Sequence, residues 1–397
     1  MGDFLLNLLS NRLLVILILL GLILLSAFFV YYFFLQKENS LPEDRVLMTK
    51  EKDIVESIPR GAVKQEEKSD RKTAPLAFGQ TRVLSSNEAA DIWLSSDGRH
   101  LRYLSEKKAA VYEIHTQTKK DEVFTSFTPN LLKTLWSLNG LHLINIFKQN
   151  GKLNKYSYNL LTRENILLDS NFKYIVWSPE GEKIAYHYFN SETEEGFISV
   201  AEPDGKNWKN LTPVLSRDLN VEWPHRNKIS FYEFSLSSLA ASDLSIINPE
   251  AGEPPQKILS QKYGLKTNWS PSGNKLLFSS SESAGTNPKL FILNETLEEK
   301  SLDIECLADK CAWSKSEENI YCALPQNLTK DISLPQDWYS NKFLSQDILF
   351  KIELDSGKKT QITQNPDYDF SNLLVSLDEN FLYFINKESG FLYETKL

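Results

Sequence analysis

A short two-strand pattern recurs along this chain, and it restricts the possible fold more than any other feature of the sequence. Its clearest copy is residues 175–186, IVWSPEGEKIAY, in which two alternating apolar runs flank a Ser-Pro-Glu-Gly turn. Pro179 presets the turn, and Gly181 supplies the positive φ that a tight hairpin requires. The period-2 alternation of β-branched and aromatic residues predicts two antiparallel strands. Because a single hairpin is marginal in water, its repetition is what matters.

The hairpin occurs seven times. A second strong copy is residues 267–278, TNWSPSGNKLLF, and six copies carry a tryptophan at the same place while the seventh has Val375. The repeat tryptophans are Trp93, Trp136, Trp177, Trp223, Trp269 and Trp313. Successive copies are 43, 41, 46, 46, 44 and 62 residues apart; the first five spacings are close to the period of about 40–45 residues of a four-stranded propeller blade, and the last contains an insertion. The sequence therefore predicts an all-β, seven-bladed β-propeller over residues 78–397, with the tryptophans packed between neighbouring sheets.

The strand count also predicts how the ring closes. The last repeat ends at Leu397 and lacks a fourth strand, whereas residues 80–85 precede the first repeat and belong to no other blade. We expect residues 80–85 to form the outer strand of the last blade, which would remove an open sheet edge.

The amino-terminal part of the chain has a different character. Residues 13–35 are 23 residues without a charge and would span about 34 Å as a helix, enough for a hydrocarbon core of about 30 Å. A signal peptide would have a shorter apolar region and an A-x-A-like cleavage site, so an uncleaved transmembrane helix is predicted. Residues 1–12 form a tail before it. Charge bias gives no clean orientation, and we expect a cytoplasmic amino terminus and an extracytoplasmic propeller at the cell membrane.

Residues 36–77 predict a disordered, charged linker between the span and the propeller. This segment mixes acidic and basic residues, has Pro42, Pro59 and Gly61 as breakers, and offers little apolar surface to offset the entropy of ordering.

Composition and the motifs that are missing argue against several classes of function. A net charge of −8 argues against a nucleic-acid partner, and there is no Walker loop, G-x-G-x-x-G or C-x-x-C motif. Three cysteines without a nearby histidine make a poor zinc site. We therefore expect no cofactor and no metal.

The two strongest repeats, beginning at Trp177 and Trp269, resemble the W-S-P-D-G-K-x-I-A-F repeat of TolB-like and WD40-like (PD40) β-propellers, which prolyl oligopeptidase relatives also contain. The resemblance implies an extracytoplasmic binding platform whose channel mouth receives a partner protein or peptide. The chain departs from TolB in having an anchor and linker in place of an α/β domain, and seven repeats where TolB has six. A G-x-S-x-G motif is missing, so peptidase activity is not expected.

Two cysteines lie opposite each other in the sixth hairpin. If the turn centres between Ser316 and Glu317, then Cys311 opposes Cys322 within disulfide reach. A Cys311–Cys322 disulfide would suit an oxidising compartment, the alternative is two free thiols, and Cys306 is a competing partner.

The candidate binding residues lie in the loops between the predicted strands. The longest spacing places an insertion at residues 324–346, with Trp338 and Tyr339 as an interface-like pair, although Trp338 alternatively pins the loop to its blade. A second long loop, residues 234–242, is expected on the same face. Acids in loops entering the inner strands predict an acidic rim; these are Glu88, Asp169, Asp218, Glu305, Asp309, Asp367 and Asp369.

The candidate binding residues on this face are Trp338, Tyr339, Asp218, Tyr263, Asp309, Asp367 and Tyr368. They favour a non-catalytic protein- or peptide-binding or scaffolding module of the cell envelope. The alternative is an enzyme that acts on envelope glycans through paired loop carboxylates.

Overall fold

The computed structural model describes residues 75–235, 237–284 and 286–397, and the regular secondary structure within these ranges is almost entirely β-strand. The predicted tail, the span at residues 13–35 and the linker up to residue 74 lie outside the described residues. Within the ranges described, the longest helix has four residues, far short of a membrane crossing.

The first part of the chain forms three four-stranded antiparallel sheets after an initial strand. The strands are β1 (Thr81–Glu88), β2 (Asp91–Leu94), β3 (His100–Ser105), β4 (Ala110–His115), β5 (Asp121–Ser126), β6 (Leu131–Trp136), β7 (His142–Gln149), β8 (Lys152–Asn159), β9 (Asn165–Leu167), β10 (Phe172–Trp177), β11 (Ile184–Asn190), β12 (Glu195–Ala201) and β13 (Lys209–Val214). Apart from β1, consecutive strands pair in the order in which they occur.

The second part contains a seven-stranded sheet and two further four-stranded sheets. The elements are β14 (Leu219–His225), β15 (Lys228–Glu233), β16 (Ala241–Ile247), β17 (Gln256–Trp269), β18 (Leu276–Ser281), β19 (Lys289–Leu293), β20 (Glu299–Glu305), a 3-10 turn (Ala308–Lys310), β21 (Cys311–Trp313), β22 (Asn319–Pro325), helix α1 (Gln336–Tyr339), β23 (Asp347–Glu353), β24 (Lys359–Gln361), β25 (Phe370–Val375), β26 (Phe381–Asn386) and β27 (Phe391–Lys396).

Strand β17 explains why one sheet has seven strands. Its first half pairs with β16, ending at Ile246 opposite Gln256, and its second half pairs with β18, ending at Trp269 opposite Leu276. The same strand is therefore the fourth strand after β14 and the first strand before β18. The sequence predicts two separate strands here, whereas the structure continues through Gln261 and Gly264, both at positive φ, as one irregular strand with shifts in its pairing register.

Strand β1 pairs with β27, so the beginning of the described chain lies beside its end. Thr81 is opposite Thr395, and Arg82 Nε donates to Glu394 Oε1 at 2.6 Å. Lys119 Nζ, from the β2–β5 sheet, donates to the other oxygen of Glu394 at 2.6 Å. This is the closure expected from residues 80–85, and the resulting strand extends to Glu88.

The repeat tryptophans lie on the inner strands β2, β6, β10, β14, β17 and β21, and several of them contact a neighbouring sheet. Trp177 Nε1 donates to the carbonyl of Leu135 at 3.0 Å, and Trp313 Nε1 donates to that of Asn268 at 3.1 Å. Trp93 stacks on Trp136 with ring centroids 5.2 Å apart. These contacts join neighbouring sheets side by side.

Apolar clusters fill the spaces between sheets. One joins the β17–β20 strands to the β21–β24 sheet and includes Leu277, Leu290 and Ile320. Burying such side chains contributes about 1.5–3 kcal/mol each, so the inter-sheet layers hold the ring together. In this cluster Cys311 is opposite Cys322 and the two form a disulfide, while Cys306 is a buried free thiol.

Candidate binding site at the channel mouth

The first strands of the sheets surround a common centre. Strand β2 contacts β6 and β25, β10 contacts β6 and β14, and β21 contacts β25. Because every sheet repeats the same up-and-down order, the starts of these strands lie on one face of the ring. We call it the mouth face. Loops joining the second and third strands of each sheet open on the same side.

The insertion between β22 and β23 folds over the mouth face around Trp338. The indole is only 4% exposed, and its Nε1 donates to Asp369 Oδ1 at 2.9 Å. Lys310 and Lys387 place their ammonium groups 4.7 and 4.2 Å from the indole ring. The prediction that Trp338 is an exposed binding residue is therefore wrong. Its polar edge and its ring already have internal partners, so it anchors the insertion.

Below Trp338 lies a buried ionic cluster that joins the β21–β24 sheet to β25. Lys310 Nζ lies 2.7 Å from an oxygen of each of Asp347, Asp369 and Ser345. All four side chains are buried. Asp369, predicted on an open acidic rim, is instead enclosed as a counter-ion. Burial, together with repulsion from Lys310, lowers the pKa of the Lys387 ammonium to about 8, although Asp369 opposes the shift.

The insertion also reaches the seven-stranded sheet. Ser333 Oγ lies 2.8 Å from Ser238 Oγ, in the long loop between β15 and β16. Gly264 has φ +58°, and a Cβ there would stand 3.0 Å from Pro335 Cδ. The two long loops predicted to flank one face therefore meet on it.

Lys266, on the inner half of β17, is the centre of the site. Its side chain is buried, and its Nζ lies 4.3 Å from the ring centroid of Phe234 and 4.8 Å from that of Tyr339. Burial lowers the pKa of Lys266, whereas the nearby carboxyls of Asp309 and Glu222 act in the opposite direction. Of the predicted pair Trp338–Tyr339, it is thus Tyr339 that faces the site.

Asp309, one of the acids predicted for the acidic rim, lies near Lys266. It lies in the 3-10 turn before β21, and burial raises its pKa to about 6 while Lys266 and Lys310 oppose the shift. Its carboxylate accepts no hydrogen bond from the residues described. Asp309 is only partly buried, so its carboxylate, which no described side chain or backbone group binds, can be reached by a ligand.

Aromatic residues extend the site toward the β10–β13 sheet. Tyr174 lies 6.0 Å from Phe234 between ring centroids, and Phe234 N donates to the carbonyl of Asp218 at 3.1 Å. Phe234, Tyr174 and Asp218 all keep exposed surface. We define the mouth cluster as Tyr174, Asp218, Phe234, Lys266, Asp309 and Tyr339.

Glu222 is a charged residue of the inner wall that sequence reasoning missed. Its carboxylate accepts hydrogen bonds from Thr267 Oγ1 at 2.9 Å and from Trp269 Nε1 at 3.0 Å. Burial raises its pKa to about 7, although these hydrogen bonds oppose the shift. A signal was present: among the six repeat tryptophans, only Trp223 is preceded by a charged residue.

The remaining predicted residues lie apart from the mouth cluster. Tyr263 is half-buried within β17, opposite Ala241 and Ser281. Tyr368 packs against Phe384 and Tyr393 at centroid distances of 5.6 and 5.2 Å, which places its ring in the layer between sheets. The prediction that Tyr368 faces a partner is therefore not supported by its packing. Asp367 beside it is exposed.

Within residues 75–235, 237–284 and 286–397, no three His, Cys, Asp or Glu side chains converge as metal ligands.

Comparison with known proteins identifies the fold. No protein-family model matches the chain, and no curated protein matches it. An oligogalacturonate lyase in complex with manganese superimposes with a TM-score of 0.60 at 12% identity, covering 80% of this chain and 93% of the lyase. The Cps50 (Swd1) β-propeller domain of Myceliophteria thermophila gives 0.53 at 11% identity, covering 80% of this chain and 100% of the domain. A prolyl endopeptidase gives 0.55 at 11% identity, covering 79% of this chain and 49% of the enzyme.

At this level of identity the three likenesses show the fold alone. The described chain is a β-propeller, as the repeat period predicts.

Proposed function

We propose that this chain is a membrane-anchored, seven-bladed propeller that holds a segment of a partner protein or peptide at the mouth cluster. The single observation that carries the proposal is Asp309, a partly buried carboxylate that accepts no hydrogen bond from the described residues and lies near Lys266, whose ammonium group contacts Phe234 and Tyr339. A basic side chain or a free amino terminus would complement Asp309, and Phe234 and Tyr339 would cover its apolar part.

The count of seven blades is supported by the shared strand β17. Dividing the seven-stranded sheet at β17 yields two units, one containing Trp223 and the other Trp269. With the five four-stranded sheets, each of the seven hairpin repeats then has its own blade.

The membrane anchor rests on residues 13–35, and the extracytoplasmic location is supported by the Cys311–Cys322 disulfide. Such bonds persist mainly in oxidising compartments. Protease treatment of intact cells and of lysed cells tests the orientation. We expect the propeller to be released from intact cells, and its protection until lysis would contradict the proposal.

Site-specific photocrosslinking in living cells tests the binding site. p-Benzoylphenylalanine at Phe234 or Tyr339 is expected to capture the same partner, and Asp309→Asn is expected to reduce the yield. The matched control is the same probe at Leu161, which is 73% exposed in the turn between β8 and β9 and lies on the opposite face. Equal capture from Leu161, or capture unaffected by Asp309→Asn, would overturn the proposal.

One observation favours an enzyme acting on envelope glycans as the second candidate function. Glu222 and Asp309 have pKa values raised to about 7 and about 6, and both interact with Lys266. Two carboxyl groups in one site whose pKa values are shifted by different amounts are typical of acid–base catalysis. Cleavage of isolated envelope glycans that is lost in both Glu222→Gln and Asp309→Asn would favour the enzyme.

A further inference from the structure

A cavity lies against the β10–β13 sheet, and none of its lining residues belongs to the mouth cluster. Its volume is about 420 Å³, and its walls come from β10–β13 and from residues that follow β9. Sites for small molecules usually measure about 300–1,000 Å³. The cavity is therefore large enough for a small ligand, and nothing in the mouth cluster depends on it.

Five of its eleven lining residues are aromatic. Phe172 and Tyr186 stack with centroids 3.8 Å apart and are buried, so they make a rigid floor. Trp208 lines one side and is 62% exposed. Gly205 has φ +81°, and a Cβ there would stand 3.4 Å from Leu168 and 3.5 Å from Phe172, so its backbone lies next to the floor at ordinary contact distance. The exposed indole of Trp208 beside this floor offers an apolar contact surface to a ligand.

The polar groups at the rim include both acceptors and donors. Asp169 accepts a hydrogen bond from Asn171 N at 2.8 Å through Oδ1, and its second oxygen has no partner among the described residues. Asn210 accepts from Ser199 Oγ at 2.8 Å, which leaves its amide hydrogens available. The indole Nε1–H of Trp208 is likewise without an acceptor in the part of the chain that the structure describes.

Charge restricts the ligand further. Asp169 and Asp204 line the cavity, and none of its lining residues is a lysine, arginine or histidine. Lys206 lies outside the lining and already pairs with Asp204 at 2.8 Å. An anionic ligand would therefore meet the Asp169 carboxylate without a counter-ion. A purely cationic ligand would leave the amide of Asn210 and the indole of Trp208 without acceptors.

We propose that this cavity binds a neutral saccharide unit. The C–H face of a pyranose ring packs on an aromatic side chain, which matches Trp208. Sugar hydroxyls both donate and accept, which matches the unpaired oxygen of Asp169 and the amide hydrogens of Asn210. The site is distinct from the mouth cluster, and the proposal stands whether or not the mouth cluster binds a partner.

Ligand-observed NMR and titration calorimetry on the full-length protein test this proposal. The protein is placed in nanodiscs of phosphatidylethanolamine and phosphatidylglycerol, which carry neither sugar nor choline. The probes are neutral tetrasaccharides of β-1,4-linked glucose, mannose and N-acetylglucosamine, with tetragalacturonate and choline as the anionic and cationic comparisons. We expect at least one neutral probe to bind, with saturation transfer to its ring C–H protons.

Variants localise the binding. Trp208→Ala is expected to lower the affinity for the neutral probe by about tenfold or more, equivalent to about 1.4 kcal/mol. Asn210→Ala is expected to lower this affinity as well. Leu161→Ala, at another exposed apolar residue, is expected to leave the affinity unchanged. Because Trp208 is exposed, its variant should melt at the temperature of the wild type. Binding of choline or tetragalacturonate in preference to every neutral probe, no binding by any neutral probe, or binding insensitive to both variants would overturn the proposal.

Discussion

The indole nitrogen of Trp338 lies 2.9 Å from Oδ1 of Asp369, inside the fold. This hydrogen bond attaches the long insertion to the strand that begins at Phe370, and it holds Tyr339 beside Lys266. The insertion therefore shapes the mouth cluster through a residue that a partner does not touch.

Replacing Trp338 by Phe removes this hydrogen bond while it keeps most of the apolar packing. We expect a loss of about 1.5 kcal/mol in the free energy of unfolding, at the low end for a bond to a charged group. The reason is that Lys310 and Ser345 still bind Asp369. Urea unfolding measures the effect, and Trp208→Phe is the control for which no loss is expected. Equal stabilities of the two variants would contradict the anchoring role of Trp338.

Lys310→Met tests the buried ionic cluster. The change leaves Asp347 and Asp369 enclosed without their common counter-ion, so we expect a loss of about 3–5 kcal/mol in unfolding free energy. Lys342→Met, at an exposed lysine of the same insertion, is the matched control. If chemical denaturation shows a loss no larger than that of Lys342→Met, Lys310 does not join the two sheets energetically.

Glu222 predicts a pH dependence of stability. Its pKa is raised in the folded protein from 4.5 to about 7, so the folded state binds more protons than the unfolded state between these values. By linkage its contribution to stability is most favourable below about pH 4.5 and falls as the pH rises to about 7, by about 3 kcal/mol in total.

The Glu222→Gln variant does not titrate at this position, and its stability relative to the wild type should rise over the same range. Thermal unfolding from pH 4.5 to 8 measures the difference, with Asp218→Asn at an exposed acid as the control. A difference between Glu222→Gln and the wild type that stays constant with pH would show that Glu222 is not held in a desolvated site.

The three cysteines should behave differently toward a thiol reagent. Cys306 is buried, and burial raises its pKa to about 12, so native protein should resist alkylation at every cysteine. In urea without reductant only Cys306 should react, and peptide mapping should recover Cys311 and Cys322 as one linked pair. A linked pair containing Cys306 would contradict the arrangement.

Much of the fold could be predicted because its determinants are local. The alternation of apolar and polar residues around Trp177 and the Ser-Pro-Glu-Gly turn together predict the hairpin, because strand periodicity and turn conformation depend on only a few neighbouring residues. The hydrogen-bond register that brings Cys311 opposite Cys322 follows from counting outward from one turn. The continuity of β17 was not predictable in this way, because it depends on how two neighbouring blades approach each other.

The site was less predictable because burial is a property of the whole ring. Asp309 and Tyr339 lie at the mouth as the loop argument predicts, whereas Trp338, which adjoins Tyr339 in sequence, points into the protein. The sequence marks Glu222 only as the one charged residue that precedes a repeat tryptophan, and its hydrogen bonds to Thr267 and Trp269 depend on the fold. Its raised pKa arises from these neighbours in space.

The sequence by itself determined that the chain builds repeated hairpins on an all-β plan and that the first strand has no partner except the last. Both follow from local patterning and from the need to pair every strand edge. Only the tertiary structure decided which polar side chains are counter-ions and which remain open, since that depends on distances between residues far apart in the chain. Asp309 and Asp369 show the difference, since both are acids of loops that enter inner strands. Lys310 donates a hydrogen bond to Asp369, whereas Asp309 remains available to a ligand.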